Sequence, residues 1–231
     1  MAMNPPCISV IVPVLNDARA LAESLDHLRP LRERGAEVIV CDGGSEDGSV
    51  EVARTGGACV VASAPGRGRQ MNAGAASARG ELLLFLHADT RLPDAAHDLL
   101  MGSVAPGEAA WGWFDVRLSG QHPLFRWVEF LMNLRARVSS VATGDQAIFL
   151  SRSLYQAVGG FPEIPLMEDV ALSKRLRRMA PPVCIRTPVV TSSRRWEENG
   201  ILRTILLMWR LRLAYTLGAE PQRLAGLYYR R

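Results

Sequence analysis

The run LLLFLHADTRLP, Leu82 to Pro93, delivers a single carboxylate, Asp89, to the end of an apolar, strand-like segment. An acid in that place can hold a metal, attack a phosphate or simply close the strand. Comparable groups follow the other apolar runs: Asp17 after the first, Asp42 after the second, Arg67 and Arg69 after the third. Each alone is ordinary turn chemistry, since Asp and Gly are common loop residues. Acids and arginines after four successive strands form a stronger pattern, because ligands of open α/β sheets bind beyond the carboxyl ends of the strands.

The elements that must position these groups alternate from the start. Ile8 to Val14, Glu37 to Cys41, Ala58 to Ala62 and Leu82 to Leu86 read as strands, and helical patterns lie at Ala18 to Leu28, near Val50 and at Arg69 to Ala78. Pro93 is well placed to open a further helix. Repeated βα units with short apolar strands predict a mostly parallel α/β sheet flanked by helices. After Pro106 the rhythm loosens: Trp111 to Leu118 and Ala147 to Leu150 read as strands, and Pro123 to Val138, Met167 to Met179 and Ile201 to Leu217 as helices. No Ser/Gly linker divides the 231 residues, so one domain is expected, with βα units over residues 1–105, a variable second half over 106–198 and a helical C-terminal extension over 199–231.

A hydrophobic share of 48% with 22% charged residues is that of a globular chain. The net charge of +4 is unevenly spread: Lys174 to Arg231 carries 13 basic and three acidic residues, which suggests an anionic ligand or surface and no nucleic-acid partner. Met1 to Cys7 lacks the basic and apolar regions of a signal peptide. Cys7, Cys41, Cys59 and Cys184 are scattered without a CxxC pair, which predicts buried reduced thiols and a cytoplasmic location. Ile201 to Leu217 is broken by Arg203, Arg210 and Arg212 and is too short to span a bilayer. Arg203 and Arg210 share a face while Arg212 lies nearly opposite, so packing against the domain is expected, with peripheral contact at the inner face of a membrane as the alternative.

Several standard sites are excluded. The first βα turn, PVLNDARAL, has no glycine for a dinucleotide fingerprint, and no G-K-[ST] of a P-loop occurs. An aspartyl-phosphate phosphatase would need an acid where His87 stands.

The segments ISVIVPVLND, VIVCDGGSEDGS, GRGRQMNAGAASARGELLLFLHADT, GDQAIFLSRSLYQAVGGF and MEDVALSKRLR, in that order from about Ser9 to Arg178, resemble family 2 glycosyltransferases of the GT-A fold. Within that family, HADT and SSRRWEENG…RT resemble the transferase 2 subgroup associated with rSAM or selenium-domain proteins, some of whose members are arsenosugar-biosynthesis-like. The resemblance implies inverting transfer of a sugar from a nucleoside diphosphate, typically UDP, to an acceptor, with a divalent ion balancing charge on the leaving diphosphate.

The family's D-x-D is His87-Ala88-Asp89 here, so the resemblance assigns the metal, Mn2+ or Mg2+, to Asp89. His87 is left to a nucleotide contact or to ligation, and its presence mildly favours manganese. Asp42 matches the acid that hydrogen-bonds the base, with Pro13 to Asn16 supplying backbone contacts to it; the usual second acid is Gly43. Arg67, Arg69 and Asn72 match positions that bind ribose and diphosphate, where arginine grips phosphate oxygens with paired hydrogen bonds. Asp169 matches the general base, with Glu168 as its helper. Gly144, Asp145, Gln146 and Asp115 fall to the sugar or acceptor pocket, and Arg194, Arg195 and Trp196 to a loop closing over the diphosphate. Two other classes stay open at this level: a nucleotide-sugar-binding protein without turnover, and a sugar-phosphate nucleotidyltransferase.

Overall fold

The computed structural model describes residues 8–105 and 108–229, so Cys7, the boundary at Pro106 and the terminal Arg230 and Arg231 lie outside the described residues. In chain order the elements are β1 (Ile8–Val14), α1 (Ala18–His27), α2 (Arg29–Glu33), β2 (Glu37–Asp42), α3 (Ser49–Thr55), β3 (Cys59–Ala62), α4 (Arg67–Ser77), β4 (Leu82–Phe85), β5 (Thr90–Arg91) and α5 (Ala96–Ser103). There follow β6 (Trp111–Leu118), α6 (Pro123–Ser139), a 3-10 turn (Gly144–Gln146), β7 (Phe149–Ser151), α7 (Arg152–Ala157), α8 (Glu168–Leu176), β8 (Val183–Thr191), α9 (Arg194–Asn199), α10 (Ile201–Thr216) and α11 (Pro221–Tyr229).

The strands form one eight-stranded sheet in the order β3-β2-β1-β4-β7-β6-β8-β5. β1 pairs in parallel with β2 and β4, β2 with β3, and β6 with β8, while β7 runs antiparallel between β4 and β6. Strand residues alternate between two cores, one on each face. Val10, Val12, Val38, Val40, Leu82 and Leu84 enter the layer under α1 and α5. Ile11, Ile39, Cys41, Leu83 and Phe85 enter the layer under α4 and α8. A strand buried on both sides reads as a continuous apolar run, which is why β1, β2 and β4 are so plain in the sequence, while β3 at the sheet edge is partly exposed.

β8 was not visible in that reading. Its Pro188 lies in a register shift opposite Asp115, where Phe114 pairs with Ile185 but Val116 with Val189. The bulge absorbs the proline, which a regular central strand would exclude. The cysteines also depart from expectation: Cys41 is buried, but Cys59 is exposed and Cys184 half-buried, all three as free thiols. α10 is buried only at Thr204 and Leu211, so its packing on the domain is slighter than its apolar sequence suggests.

α4 lies close on the sheet because Gly74 has no side chain; a Cβ there would collide with Cys41 Sγ and Ile11 Cγ2. Gly74→Val is expected to cost about 1–3 kcal/mol by overpacking. Gly102, on α5 with open space around its Cα, is the control: Gly102→Ala is expected to stabilise by about 0.5–1 kcal/mol. Urea unfolding of the two variants checks both signs, and equal effects would refute the close packing of α4.

Candidate active site

The loops after β1 and β2 are fastened to one another. Asn16, in the left-handed region at φ 52°, accepts from Glu46 N through Oδ1 and donates its own N–H to Ser45 Oγ. The buried Gln70 amide donates to both Val14 O (2.7 Å) and Cys41 O (2.8 Å), joining the ends of the two strands to α4. Gly43, where the family pattern has a second acid, lies against that amide. Asp42 is buried, and its carboxylate accepts from the Gly44 and Ser45 amides, so it shapes its own turn. Pro13, at the end of β1, is half-buried.

A cavity of about 490 Å³ lies on the other side of the β4 end. Its floor is polar, with His87, Gly144, Asp145, Glu168, Asp169 and Arg67. Its walls, from α6, α9, α10 and α11, are largely apolar, and Arg135 and Arg212 project from them. Asp169 stands in the first turn of α8, where Oδ2 accepts from Gly144 N at 2.8 Å and Oδ1 from Val170 N at 2.6 Å. Gly144 must be glycine, since a Cβ would enter the His87 ring. His87 Nδ1 lies 3.3 Å from Asp145 Oδ1, and this links the β4 end to the same turn that holds Asp169.

Charge at this floor is strongly perturbed. Burial pushes the Glu168 carboxyl up to about 7, with Asp169 adding to the effect and Arg67 opposing it. Burial also resists ionisation of Asp145, but His87, Arg67 and Arg212 outweigh it and lower its pKa. Burial, then the facing Arg212, pushes Arg135 down to about 9, still cationic at neutral pH. Arg67 lines the cavity yet keeps an exposed side chain.

Asp89 is set apart from this floor. Its side chain reaches water and has no hydrogen-bond or ion-pair partner among the described residues. The surrounding protein still desolvates it and raises its pKa; Asp145 and Asp17 add to the rise, and His87 and Arg67 oppose it. An unpartnered carboxylate beside other acids suits a divalent cation. No three candidate ligands converge among the described residues, so Asp89 would be the carboxylate that holds such an ion here.

Other expected site residues are placed differently. Asn72 is consumed structurally: Nδ2 donates to Phe161 O, and Oδ1 accepts from Phe161 N and Tyr155 Oη. Asp115 faces away from the cavity and is paired with Arg137, with Cys184 Sγ also donating to it. Gln146 is fully buried, and its Oε1 accepts from Thr143 N. Arg195 donates to Tyr228 O and stacks on that ring at 3.5 Å, fastening α11. The polar groups of Asn72, Asp115 and Gln146 are thus engaged or buried within the protein, while half-buried Arg195 gives one N–H to α11. Arg69 forms a surface pair with Glu163 at 3.0 Å. Such a pair contributes about 0–1 kcal/mol, so it can yield to a phosphate. Arg194 reaches Asp17 across the sheet edge at 3.7 Å, and Trp196 is a cavity wall.

Sequence reasoning missed Arg135 and Arg212. Arg212 carried a signal, its place opposite Arg203 and Arg210 on the helix; the structure turns it into the cavity and leaves the other two exposed. The raised Glu168 gives a signed prediction. Between about 4.5 and 7 the unfolded chain has released this proton while the folded chain keeps it, so rising pH favours unfolding across that window. Glu168→Gln removes the penalty, and its stability relative to wild type is expected to grow by on the order of 1–3 kcal/mol from pH 5 to 8. Thermal melts across that range check this, and parallel pH profiles would refute it.

The model of glycosyl transferase family 2 matches residues 9–150. An uncharacterized glycosyltransferase of Mycobacterium tuberculosis (strain ATCC 25618 / H37Rv) is 30% identical over 98% of this chain and 91% of its own length. A PGL/p-HBAD biosynthesis glycosyltransferase of Mycobacterium bovis (strain BCG / Pasteur 1173P2) is 30% identical over 69% of this chain and 64% of its own. Among solved structures, the mannosyltransferase PcManGT from Pyrobaculum calidifontis, in complex with GDP-Man and Mn2+, aligns with TM-score 0.60 and 23% identity over 82% of this chain. S. aureus TarS 1-349 aligns with TM-score 0.65 and 19% identity over 80%. This chain spans 57% and 60% of those two chains, and at such identities the likeness carries the fold, the GT-A arrangement. By family model and by whole-length identity, the chain belongs to glycosyl transferase family 2.

Proposed function

We propose that this glycosyltransferase moves a sugar, with inversion, from a nucleoside-diphosphate sugar such as a UDP-sugar to a hydroxyl-bearing acceptor, with Asp169 as general base. The observation that carries the proposal is the fixing of Asp169 by the Gly144 and Val170 amides, with its carboxylate at the cavity floor beside the β4 end. In this reading residues 1–105 hold the nucleotide, at the loops that end in Pro13 to Asn16 and at Asp42. Arg67 and Arg69 stand where diphosphate oxygens would lie, and Arg194 closes from the C-terminal side through its reach to Asp17.

The acceptor oxygen attacks the anomeric carbon as its proton passes to Asp169, and the bond from that carbon to the diphosphate oxygen breaks. A base held within hydrogen-bond reach contributes about 10²–10⁴-fold to such a step. Glu168, kept protonated to near neutrality by burial, adds no second negative charge beside the base below that pH. Asp89 is the residue that would hold Mn2+ or Mg2+, and the ion would supply positive charge to the leaving diphosphate. Mn2+ in the PcManGT complex, and UDP in a TarS complex, support this choice of donor and ion. Placement in the rSAM- or selenium-domain-associated subgroup rests on the segments HADT and SSRRWEENG.

Two variants separate binding from chemistry. Asp169→Asn is expected to keep the Mn2+-dependent thermal stabilisation by its nucleotide sugar and to lose about 10²–10⁴-fold in turnover. Asp89→Ala is expected to lose the Mn2+-dependent part of that stabilisation. Undiminished turnover in Asp169→Asn would remove it as the base, and a wild type that is stabilised but never turns over would leave only nucleotide-sugar binding.

A further inference from the structure

The two long helices that wall the cavity each expose an apolar stripe beside it. On α6 the stripe is Trp127, Leu131, Leu134 and Val138, spaced four, three and four residues apart. On α10 it is Leu202, Leu206, Trp209 and Leu213, continued by Leu217 just past the helix end, each 62–78% exposed. Leu131 and Trp209 belong both to a stripe and to the cavity lining, so the stripes run up to the cavity mouth from both sides. Trp127 also meets Phe130 edge to face in the open, with ring centroids 6.4 Å apart. Scattered surface apolar residues need no explanation, but a continuous set on two neighbouring helices does.

Arginine predominates along these stripes, with exposed Glu197 and Glu198 just before α10 and Glu220 just after it. α10 contains no acidic residue, and its exposed Arg203 and Arg210 have no ion-pair partner among the described residues. The one acid of α6, Glu129, is buried and paired with Arg126. Exposed tryptophan and leucine flanked by arginine are the composition of helices that lie in the interface of an anionic bilayer. Among the described residues no helix is long and apolar enough to cross a membrane. The cavity between the helices has the matching polarity: apolar walls at the mouth, with Arg135, Arg212 and Asp169 within.

We propose that the apolar stripes of α6 and α10 dock on an anionic membrane surface and that the acceptor is an amphiphile drawn from it, its apolar part between the two helices and its hydroxyl-bearing head at Asp169. This rests on the reading of Asp169 as the base that takes the hydroxyl proton while the nucleoside diphosphate leaves with the bonding electrons.

The test uses the full chain and the double variant Trp127→Glu/Leu206→Glu, both positions exposed and outside the cavity lining. Wild type is expected to co-sediment with phosphatidylcholine vesicles containing phosphatidylglycerol and weakly with phosphatidylcholine alone. The double variant is expected to bind the mixed vesicles at least about tenfold more weakly. It should keep the Mn2+-dependent stabilisation by nucleotide sugar, so the docking claim is judged separately from the donor reading. With vesicles of total lipid from the source organism, label from the stabilising donor should move into an organic-extractable product. No sedimentation of wild type, equal binding by the double variant, or a dimer in solution that the double variant breaks while vesicle binding is absent would each overturn the docking. Label confined to water-soluble products would overturn the amphiphilic acceptor while leaving Asp169 as base.

Discussion

The 2.8 Å hydrogen bond from the Gly144 amide to Asp169 joins the two sides of the site, and the surrounding geometry depends on it. The 3-10 turn that supplies this amide also places Asp145 against His87, at the end of β4 and two residues before Asp89. The His87 ring occupies the space a side chain at position 144 would need. Three consecutive contacts therefore set the distance between the strand end that offers Asp89 and the helix end that offers Asp169. The Asp169 carboxylate cannot shift without disturbing that turn, whereas the Asp89 side chain stands free in water at the strand end. Fixed placement of this kind lets a site act without reorganising at the moment of reaction.

The cavity divides its chemistry by depth. Acids and Arg67 gather at the floor, while the walls from α6 and α10 are largely apolar except for Arg135 and Arg212. With water partly excluded, charges act on one another more strongly than they would at an open surface. The opposite shifts of Glu168 and Asp145 follow: one is buried next to a like charge, and the other is compensated by His87 and two arginines. Two acids on neighbouring elements are thus held in different protonation tendencies by their surroundings.

Much of the first half of the chain was legible because β1, β2 and β4 are buried on both faces. β1 and β6 have the bounds read from their apolar runs. β8 was hidden by Pro188, whose bulge depends on pairing with a strand some seventy residues away. Asp89, Asp145, Gly144 and Asp169 were legible as loop or first-turn residues in a recognisable order. The structural partners of Asn72, Asp115, Gln146 and Arg195 were not legible, because residue type announces the ability to hydrogen-bond but not which partner the fold supplies. Asn72 is occupied by Phe161 and Tyr155, and Asp115 by Arg137. Arg135 was passed over because an arginine in an apolar helix reads as a solvated interruption until a cavity is found beside it.

A single displacement aided by a fixed carboxylate leaves its mark in the stereochemistry of the first product. In the absence of acceptor, water takes the acceptor's place, and the sugar first released from an α-linked donor can be followed by proton NMR before it mutarotates. The account predicts that the β-anomer appears first. Initial release of the α-anomer would contradict it, because retention requires either a second displacement or attack from the leaving-group face, and Asp169 would then not be the base of a one-step reaction.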